Sequence, residues 1–525
     1  MKRDGIRFLI ILLAGTILRV YFIDYRGFWI DEVFSVYLAS SSLSGLFNLL
    51  NANNQSPLFF FLLHYWIKLL GDSDVTVRLL SVVWGSIGII GIYYLLGEGL
   101  KWSKRSALLG AFLVIINPLH VYYSIEARPY SMLFALAAFY LAFLCRIYSA
   151  EAKRYYIAFV SLQILLLYTH PTALIYCFTI NVIYLLLLLS MKQLNKLRLG
   201  NLLITNAITL LLFLPWIWTY WLQVQATSEH FWAPPLTLVD TVKIWGRLIL
   251  FLSSDLIDLH PEWFKLLTPN ILMWAAAALP VVMLMLTGMF YSFKRKVLPE
   301  LLIVISFFVY PMMLCIISML IKPIMITRVL IPVSIGFVTL ILTPGEQHLG
   351  TYKRAILHML LALFVFICLA LNFFIIRVGG AEDWRKAAMD VSKISTKDDL
   401  ILIFESSNTL LFNRYNKSDI SVRGVTEDYE ERWDLKKIYG SEWKKYYTSD
   451  YNLSIDSEKT VERLTRLVEN RQRIFLVIAP LSRKNMPSSQ KNVLSELKDY
   501  KPDEIITIGN IRIFSLSRTP QISNP

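Results

Sequence analysis

The stretch Phe28-Trp29-Ile30-Asp31-Glu32-Val33-Phe34 places two adjacent carboxylates inside an aromatic frame, directly after an apolar stretch at residues 6–23. A charged side chain at the centre of a bilayer costs roughly 3 kcal/mol. Beside a membrane helix, Asp31 and Glu32 therefore either face water in an ordinary loop or line a polar cavity that the protein holds. The residues that accompany this pair along the chain bear on the choice.

The composition is that of a polytopic membrane protein. Hydrophobic residues make up 56% of the 525 residues and charged residues only 17%, which is far more apolar than a soluble domain. A net charge of +14 would suggest nucleic acid for a soluble protein, but here the basic residues fall between hydrophobic stretches. We therefore expect membrane lipids as partners, and no nucleic acid. The four cysteines lie in apolar stretches without pair spacing, which predicts neither a disulfide framework nor a thiolate metal site.

Eleven apolar stretches are predicted to be membrane-spanning helices. They cover residues 6–23, 75–98, 106–121, 130–147, 155–169, 172–190, 201–221, 269–291, 298–320, 325–343 and 355–376. Segment 57–70 would reach only about 21 Å as a helix, too short for a hydrocarbon core of about 30 Å. We interpret it, and the charge-interrupted segment 236–256, as helices at the outer interface. The alternative count is thirteen spans, which applies if either segment crosses the membrane as one of two additional spans.

Clusters of lysine and arginine occupy alternate connections between these stretches, which predicts that they lie in the cytoplasm. The clusters are Lys2/Arg3/Arg7, Lys101/Lys104/Arg105, Arg146/Lys153/Arg154, Lys192/Lys196/Arg198, Lys294/Arg295/Lys296 and Lys353/Arg354. This register predicts a multi-pass protein of the cell (plasma) membrane with a cytoplasmic N-terminus. It assigns to the extracytoplasmic side Asp31, Glu32, Glu126 to Arg128, His170, Arg328 and everything after residue 377.

From about residue 381 the composition becomes charged and soluble. Strand-like apolar runs at 399–404, 474–479, 504–507 and 511–514 alternate with helix-like stretches at 382–394, 458–470 and 488–498. We predict a membrane domain at 1–380, with a first outer loop at 24–74, and a small extracytoplasmic α/β domain at 381–525. The latter has no glycine-rich phosphate loop and no Cys/His cluster, so no catalysis is assigned to it.

The polar residues predicted on the outer side suit the transfer of a group from an anionic lipid carrier. A carboxylate can take the proton of an acceptor hydroxyl while cations such as Lys68, Arg128 and Arg328 stabilise the leaving phosphate. The carrier's apolar tail would lie among the helices. The same residue types could instead form a channel vestibule or a transporter gate, so spacing alone leaves these alternatives open.

Each of these residues also has a purely structural interpretation. Arg128 can pair with Glu126 and end a helix, and His170 can be a hydrogen-bonded turn residue. Lys68 can extend its amine towards the lipid head groups, as interfacial lysines commonly do. Arg328 can act as an interfacial anchor. From position alone, neither interpretation excludes the other.

Short strings follow one another along the chain in this order: Asp31-Glu32, Pro57-Leu-Phe-Phe-Phe61, Lys68-Leu-Leu-Gly71, Val77-Arg-Leu-Leu-Ser81, Ser124-Ile-Glu-Ala-Arg-Pro-Tyr130, Tyr168-Thr-His170, Thr327-Arg-Val-Leu-Ile-Pro332 and Glu382-Asp-Trp-Arg385. This ordered set resembles the membrane glycosyltransferases of the GT-C fold, in particular bacterial and archaeal relatives of protein O-mannosyltransferases and the lipid A aminoarabinose transferase. The resemblance covers about residues 5–376. It depends on the order of the strings, because each string alone is weak.

The resemblance implies that Asp31 is the catalytic carboxylate and that the donor is a polyprenyl-phosphate-linked sugar at the outer leaflet. It implies further that Lys68 contacts the donor phosphate and that Arg128 is a second phosphate or structural partner. The chain reads Gln55-Ser56-Pro57 where many relatives have a histidine before the proline, so the acceptor side of the pocket is expected to differ. The region after residue 381 lacks the lectin-like module of eukaryotic protein mannosyltransferases, which disfavours a protein acceptor in that style.

We therefore expect an inverting glycosyltransferase that moves a monosaccharide from a polyprenyl-phosphate carrier to a lipid, glycan or protein acceptor on the extracytoplasmic face. Asp31 is the expected base, and Glu32 is expected to orient the base or the acceptor. The alternatives are a transporter or flippase of a lipid-linked saccharide, which would place paired polar residues deep inside several spans, and a non-catalytic scaffold for envelope assembly.

The remaining site residues are expected to bind substrate. For the donor phosphate they are Lys68, Arg128 and Arg328, and for the substrate pocket His64, Tyr123, Glu126 and His170. No cofactor is expected to be required. The carboxylates allow a divalent metal ion, but no ligand spacing demands one, so no metal ligand is assigned.

Overall fold

The computed structural model describes residues 2–52, 55–150, 152–228, 236–249, 271–321, 323–347, 349–378, 383–404, 408–425, 458–478, 497, 499–508 and 511–519. The chain forms two compact units. The helical unit comprises Met1–Ile23 and Ala39–Arg377, and the C-terminal unit comprises Asp24–Leu38 and Val378–Pro525. The segment Asp24–Leu38 thus groups with the C-terminal residues, whereas the sequence-based division at residue 380 would place it with the membrane helices.

Helices dominate the chain up to residue 378. In chain order they are α1 (Lys2–Phe22), α2 (Ile30–Ser40), α3 (Leu43–Ala52), α4 (Pro57–Leu70), α5 (Asp74–Tyr94), a π-helical turn (Leu95–Gly99), α6 (Lys104–Ile116), α7 (Pro118–Ser124), α8 (Tyr130–Ala150), α9 (Lys153–Thr169), α10 (Ala173–Ser190), α11 (Lys196–Ser228), α12 (Leu238–Ile249), α13 (Ile271–Arg295), α14 (Leu298–Leu320), a 3₁₀ turn (Thr327–Leu330), α15 (Val333–Leu342), a second 3₁₀ turn (Thr343–Glu346) and α16 (Thr351–Val378).

Each of the eleven apolar stretches predicted from the sequence lies on helical structure, and the protein is a polytopic α-helical membrane protein. Among the described residues, seven helices are long and apolar enough to cross a membrane, or eight if the bent pair α6–α7 forms one span. This is fewer than the eleven to thirteen spans expected. The number is lower partly because α9 and α15, with 17 and 10 residues, are shorter than the roughly 20 residues of a helix that crosses a membrane.

The stretch predicted as one span at 106–121 is divided by a bend of 63° between α6 and α7. Pro118 has no backbone N–H to continue the helix and restricts the residue before it, so α6 ends at Ile116. The side chain of Asn117 then accepts a hydrogen bond of 3.0 Å from the backbone N–H of His120, which caps α7. The bend therefore follows from an Asn-Pro pair.

The two segments that we interpret as interfacial helices are helical where they are described. The first is α4, which matches residues 57–70. The second is represented by α12, and residues 250–256 lie outside the described part of the chain. Their placement at the outer interface stays a prediction.

The C-terminal unit contains a small mixed sheet, as expected for an α/β domain. Its strands are β1 (Leu400–Ile403), β2 (Ser421–Gly424), β3 (Arg473–Ile478), β4 (Tyr500–Ile508) and β5 (Ile511–Arg518), and its helices are α17 (Trp384–Ile394), α18 (Asn408–Tyr415) and α19 (Glu458–Val468). The strand order is β2-β1-β3-β5-β4, with β1 parallel to β2 and β3, and β5 antiparallel to β3 and β4.

The four strand-like runs predicted from the sequence correspond to β1, β3, β4 and β5. Strand β2 was not expected, because Ser421-Val-Arg-Gly424 is polar and carries no alternating apolar pattern. Its register is imposed by pairing with β1. Most of the helix-like stretch at 488–498 lies outside the described residues.

Helices α13 and α15 approach closely at Gly288. A Cβ atom on Gly288 would overlap the backbone carbonyl oxygen of Leu340, which cannot move without displacing α15. Small residues at such points let membrane helices pack backbone to backbone. Gly200 on α11 is a natural comparison, since a Cβ there would meet nothing within 4 Å.

We predict that Gly288→Ala lowers the thermal unfolding temperature of the detergent-purified protein, because overpacking costs about 1–3 kcal/mol. Gly200→Ala should leave it unchanged or raise it slightly, since alanine is favoured over glycine in a helix by about 1 kcal/mol. Equal shifts in the two variants, measured by scanning fluorimetry, would contradict the close α13–α15 contact.

Candidate active site

Asp31 and Glu32 lie in the first turn of α2. The backbone N–H groups of Glu32 and Val33 both donate to the carbonyl of Trp29, at 3.0 and 3.1 Å, which starts the helix around the carboxylates. Free N–H groups and the helix dipole favour negative charge at this end of a helix. Glu32 is fully buried, whereas Asp31 is half-buried and retains access to solvent.

The carboxylate of Glu32 is held in a buried ion pair. Arg26 Nη1 lies 2.9 Å from Glu32 Oε2, and the two side chains are 6% and 0% exposed. The backbone N–H of Trp29 also donates to Oε2, at 3.4 Å. Glu32 is therefore engaged in fixing the loop, which is compatible with the orienting role expected for it. Arg26 escaped the sequence analysis because a single arginine in a loop gives no signal of its partner.

In the helical unit, Arg128 and Arg328 both act electrostatically on His170. Arg128 lies in the turn before α8, where its N–H donates to the carbonyl of Glu126 at 2.7 Å and its own carbonyl accepts from Ser81 Oγ at 3.4 Å. Arg328 lies in the 3₁₀ turn Thr327–Leu330. Both arginines are less than a tenth exposed. Two distant parts of the chain thus place positive charge near an imidazole on a third part.

His170 lies in the turn between α9 and α10, outside both helices. Burial, together with the charges of Arg128 and Arg328, lowers the pKa of His170 to about 3. Its Nδ1 accepts hydrogen bonds from Thr172, at 3.2 Å from the backbone N–H and 2.8 Å from Oγ1. The neutral ring therefore carries its proton on Nε2, which can donate to a ligand oxygen.

Aromatic rings connect His170 with a further predicted residue. The ring centroids of Tyr130 and His170 are 5.8 Å apart, and those of Tyr123 and Tyr130 are 4.9 Å apart. Tyr123 and Glu126 are fully buried, and the backbone carbonyl of Glu126 accepts from the N–H of Arg128. Five of the predicted site residues therefore occupy one region of the helical unit: Tyr123, Glu126, Arg128, His170 and Arg328.

Lys68 and His64 lie on α4, and among the described residues neither forms a hydrogen bond or ion pair with Arg128, His170 or Arg328. Lys68 is exposed, with Nζ 5.9 Å from the ring centroid of Tyr65. His64 is 1% exposed and donates from Nδ1 to the carbonyl of Ala39 at 2.7 Å, while its Nε2 has no hydrogen-bond partner in the described residues. Asp31 and Glu32 belong to the C-terminal unit.

Two buried arginines of the helical unit received no role in the sequence analysis. Arg78 is fully buried and donates from Nη1 to the carbonyl of Ile23 at 2.9 Å. Arg19, also fully buried, donates to the carbonyl of Gly15 at 2.7 Å and contacts Nδ1 of His120 at 2.7 Å. An arginine inside an apolar stretch is the signal that could have drawn attention to them.

The described residues contain no group of three or more His, Cys, Asp or Glu side chains that could hold a metal ion. A divalent ion bound through the carboxylates stays a prediction.

Residues 54–222 match the sequence family described as dolichyl-phosphate-mannose-protein mannosyltransferase. Two crystal structures of ArnT from Cupriavidus metallidurans, in the apo state and bound to undecaprenyl phosphate, match with TM-scores of 0.60 and 0.58. Each is 12% identical; the matches cover 98% of this chain and 98% and 99% of those chains. The chain has the GT-C fold. The resemblance inferred from the ordered strings is thereby confirmed for the fold.

The GT-C fold is also that of the archaeal oligosaccharyltransferase AglB from Archaeoglobus fulgidus, solved with an inhibitory peptide and a dolichol-phosphate. That structure matches with a TM-score of 0.53 and 13% identity, over 99% of this chain and 75% of that chain. Identity this low establishes a shared fold and not a shared substrate. A comparison of the sequence with curated proteins gives no match.

The pKa of His170 predicts an acid dependence of stability. In the unfolded chain histidine titrates near pH 6.5, so between about pH 6.5 and pH 3 the unfolded chain binds more protons than the folded one. Folding stability must therefore fall as the pH falls through this window.

We predict that His170→Gln reduces the loss of stability between pH 7 and pH 5 by about 1–2 kcal/mol relative to the wild type. Unfolding temperatures of both proteins in detergent, recorded at half-unit pH steps, measure the difference. His358→Gln, on α16, serves as a control that should follow the wild type. Parallel pH curves for His170→Gln and the wild type would show that His170 is not held neutral.

Proposed function

We propose that the protein is an inverting glycosyltransferase that moves a monosaccharide from a polyprenyl-phosphate carrier to a hydroxyl-bearing lipid, glycan or protein on the extracytoplasmic face. The observation that carries this proposal is the pair of buried guanidinium groups, Arg128 and Arg328, around a neutral His170 in a chain of GT-C fold. A buried concentration of positive charge is suited to an anion such as a phosphate. The undecaprenyl phosphate in ArnT and the dolichol-phosphate in AglB support a carrier of this class.

Asp31 acts as the general base in this proposal. Its carboxylate takes the proton of the acceptor hydroxyl as the hydroxyl oxygen attacks the anomeric carbon of the donor sugar. The bond between that carbon and the phosphate oxygen breaks, and the attack from the opposite face inverts the anomeric configuration. Glu32, already paired with Arg26, keeps the first turn of α2 in place, and Asp31 is the carboxylate that takes the proton.

The cations stabilise the charge that develops on the leaving phosphate. Arg128 and Arg328 provide fixed, poorly solvated donors, which act more strongly on an anion than they would in water. His170 adds an uncharged donor, its Nε2–H. Lys68 is exposed and has a flexible side chain, so its ammonium group can move to contact the phosphate.

The remaining pocket residues contact the sugar or the acceptor. His64 offers a buried Nε2 lone pair that can accept a hydrogen bond from a sugar hydroxyl. Tyr123 and Glu126 supply an aromatic face and a carboxylate near His170. In this proposal the catalytic loop, residues 24–74, and the C-terminal domain lie on the extracytoplasmic side of the cell membrane, and the N-terminus lies in the cytoplasm.

We predict that Asp31→Asn lowers sugar transfer by about 10²- to 10⁴-fold, the usual contribution of general base catalysis. The measurement is transfer from a panel of radiolabelled polyprenyl-phosphate monosaccharides by membranes that contain equal amounts of each protein. Asp390→Asn changes a half-buried carboxylate on α17 that pairs with Lys393; it is the matched control and should transfer at the wild-type rate.

Equal transfer by the wild type and Asp31→Asn would remove Asp31 from the role of base. If the wild type transfers no sugar from any donor, the proposal of a transferase is contradicted, and a transporter or an assembly scaffold becomes the better explanation.

We predict that Arg128→Gln and Arg328→Gln each raise the KM for the donor by about 10- to 100-fold, since a hydrogen bond to a charged group contributes about 1.5–3 kcal/mol. Initial transfer rates at varied donor concentration give the KM. Arg354→Gln, an exposed arginine in the first turn of α16, is the control and should keep the wild-type KM. An unchanged donor KM in both site variants would show that these arginines do not bind the phosphate.

A further inference from the structure

The segment Asp24–Leu38, which carries Asp31 and Glu32, belongs to the same compact unit as residues 378–525. The chain leaves the helical unit after Ile23 and returns to it at Ala39. The C-terminal domain received no catalytic residue from its own sequence. The C-terminal domain nevertheless contacts the segment Asp24–Leu38, and these contacts help to position the two carboxylates.

Arg385 makes the first group of contacts. Its Nη2 donates to Asp24 Oδ1 at 2.6 Å and to the backbone carbonyl of Arg26 at 3.3 Å. The Asp24 side chain is half-exposed, and an ion pair with that much solvent contact is weak on its own. The hydrogen bond to the backbone carbonyl adds a direct constraint on the path of the loop.

Tyr415 and Arg414 hold the next part of the loop. The backbone N–H of Phe28 donates to the hydroxyl oxygen of Tyr415 at 2.6 Å. The guanidinium of Arg414 lies over the Phe28 ring, 4.5 Å from its centroid, and Phe28 is fully buried. The guanidinium of Arg385 lies in turn 5.7 Å from the centroid of the Tyr415 ring. These contacts fix both the backbone and the side chain of Phe28.

Gly27 allows the loop to approach this closely. A Cβ atom at Gly27 would lie 3.1 Å from Cβ and 3.3 Å from the backbone nitrogen of Arg385, and 3.4 Å from the Tyr415 hydroxyl. Distances of this kind are tighter than most real Cβ contacts. A glycine between Arg26 and Phe28 therefore brings the loop backbone directly against the start of α17.

The C-terminal residues that make these contacts are themselves held in secondary structure. Arg385 lies in the first turn of α17, where the side chain of Asp383 caps the helix by accepting from the N–H of Lys386 at 3.0 Å. Trp384 beside it is fully buried. Tyr415 is the last residue of α18. Positions on helices hold a partner more precisely than positions on loops.

The anchored segment is joined to the carboxylates by the buried ion pair of Arg26 with Glu32. Arg26 lies between the contacts at Asp24 and Phe28, and Glu32 is the residue directly after Asp31. A continuous set of contacts thus runs from Arg385 and Tyr415, through Arg26, to the first turn of α2.

We propose that the C-terminal domain is the positioning element of the carboxylate loop, with Arg385 and Tyr415 as positioning residues for Asp31. This inference rests on the proposed function in that Asp31 is taken as the base. A shift of about 1 Å in a catalytic group can cost about 10²-fold in rate. Loss of the anchor therefore lowers kcat and leaves the KM for the lipid donor almost unchanged, because the phosphate-binding arginines belong to the helical unit.

The first experiment compares Arg385→Ala, Tyr415→Phe and the control Lys393→Ala in the full-length protein. Lys393 also carries a positive charge on α17, but it is exposed, and among the described residues its ion pair is with Asp390 of the same helix. We expect kcat to fall about 10²-fold in Arg385→Ala and about 5-fold in Tyr415→Phe, which loses one hydrogen bond. The control should keep the wild-type kcat, and all three should keep the donor KM.

A second experiment separates positioning from general destabilisation. In the double variant Gly27→Cys with Arg385→Cys the two Cβ atoms start 3.1 Å apart, and a small outward shift of the loop brings them to the separation of about 3.8 Å that a disulfide needs. We expect the oxidised double variant to recover at least 10-fold in kcat over its own reduced form, because the disulfide replaces the anchor that Arg385 provides. The single variants Gly27→Cys and Arg385→Cys should not respond to oxidation.

The possible outcomes have distinct meanings. Wild-type kcat in Arg385→Ala, or equal kcat in the oxidised and reduced double variant, would overturn the positioning role. Mass spectrometry of the disulfide-linked peptides tests the loop contact without any transfer assay, and absence of the linked peptide would also overturn it. If the linked peptide forms but the wild type transfers no sugar, the contact stands and the proposed function fails instead.

Discussion

The ion pair between Arg26 and Glu32 is the constraint on which the carboxylate loop depends. Both side chains are almost completely buried, and breaking a buried ion pair by removing one partner costs about 3–5 kcal/mol. The loop can therefore adopt only conformations that bring the two together. Because Glu32 follows Asp31 in the first turn of α2, the same restriction also determines where Asp31 lies.

The helical unit also contains buried charged side chains, but their partners differ from the ion pair of Arg26 with Glu32. Arg19 and Arg78 have backbone carbonyls among their partners: Arg19 donates to Gly15 of its own helix and to Val114 of α6, and Arg78 donates to Ile23 just after the end of α1. Arg128 and Arg328 instead surround a histidine whose pKa is far below its ordinary value. In the proposed function, a phosphate supplies the negative charge that suits this second arrangement.

In our proposal, the C-terminal domain contributes to catalysis by placing the carboxylate loop. Its sheet and helices give Arg385 and Tyr415 fixed positions, and these two residues contact the loop through its backbone at Arg26 and Phe28. Backbone contacts constrain the path of a loop whatever its side chains are. This explains how the pairing can be invisible in a pattern of charged and apolar residues and still be built into the fold.

The sequence by itself determined the membrane class, the eleven helical stretches and four of the described strands, because hydrophobic length and periodicity are local properties. It also indicated Asp31 and Glu32, as charges beside a membrane helix have few acceptable environments. Only the tertiary structure decided that Arg26 pairs with Glu32, that Arg128 and Arg328 act on His170, and that Asp24–Leu38 belongs with the C-terminal residues. The physical reason is that such pairings join positions up to hundreds of residues apart, and their energy depends on burial and geometry that no local pattern records.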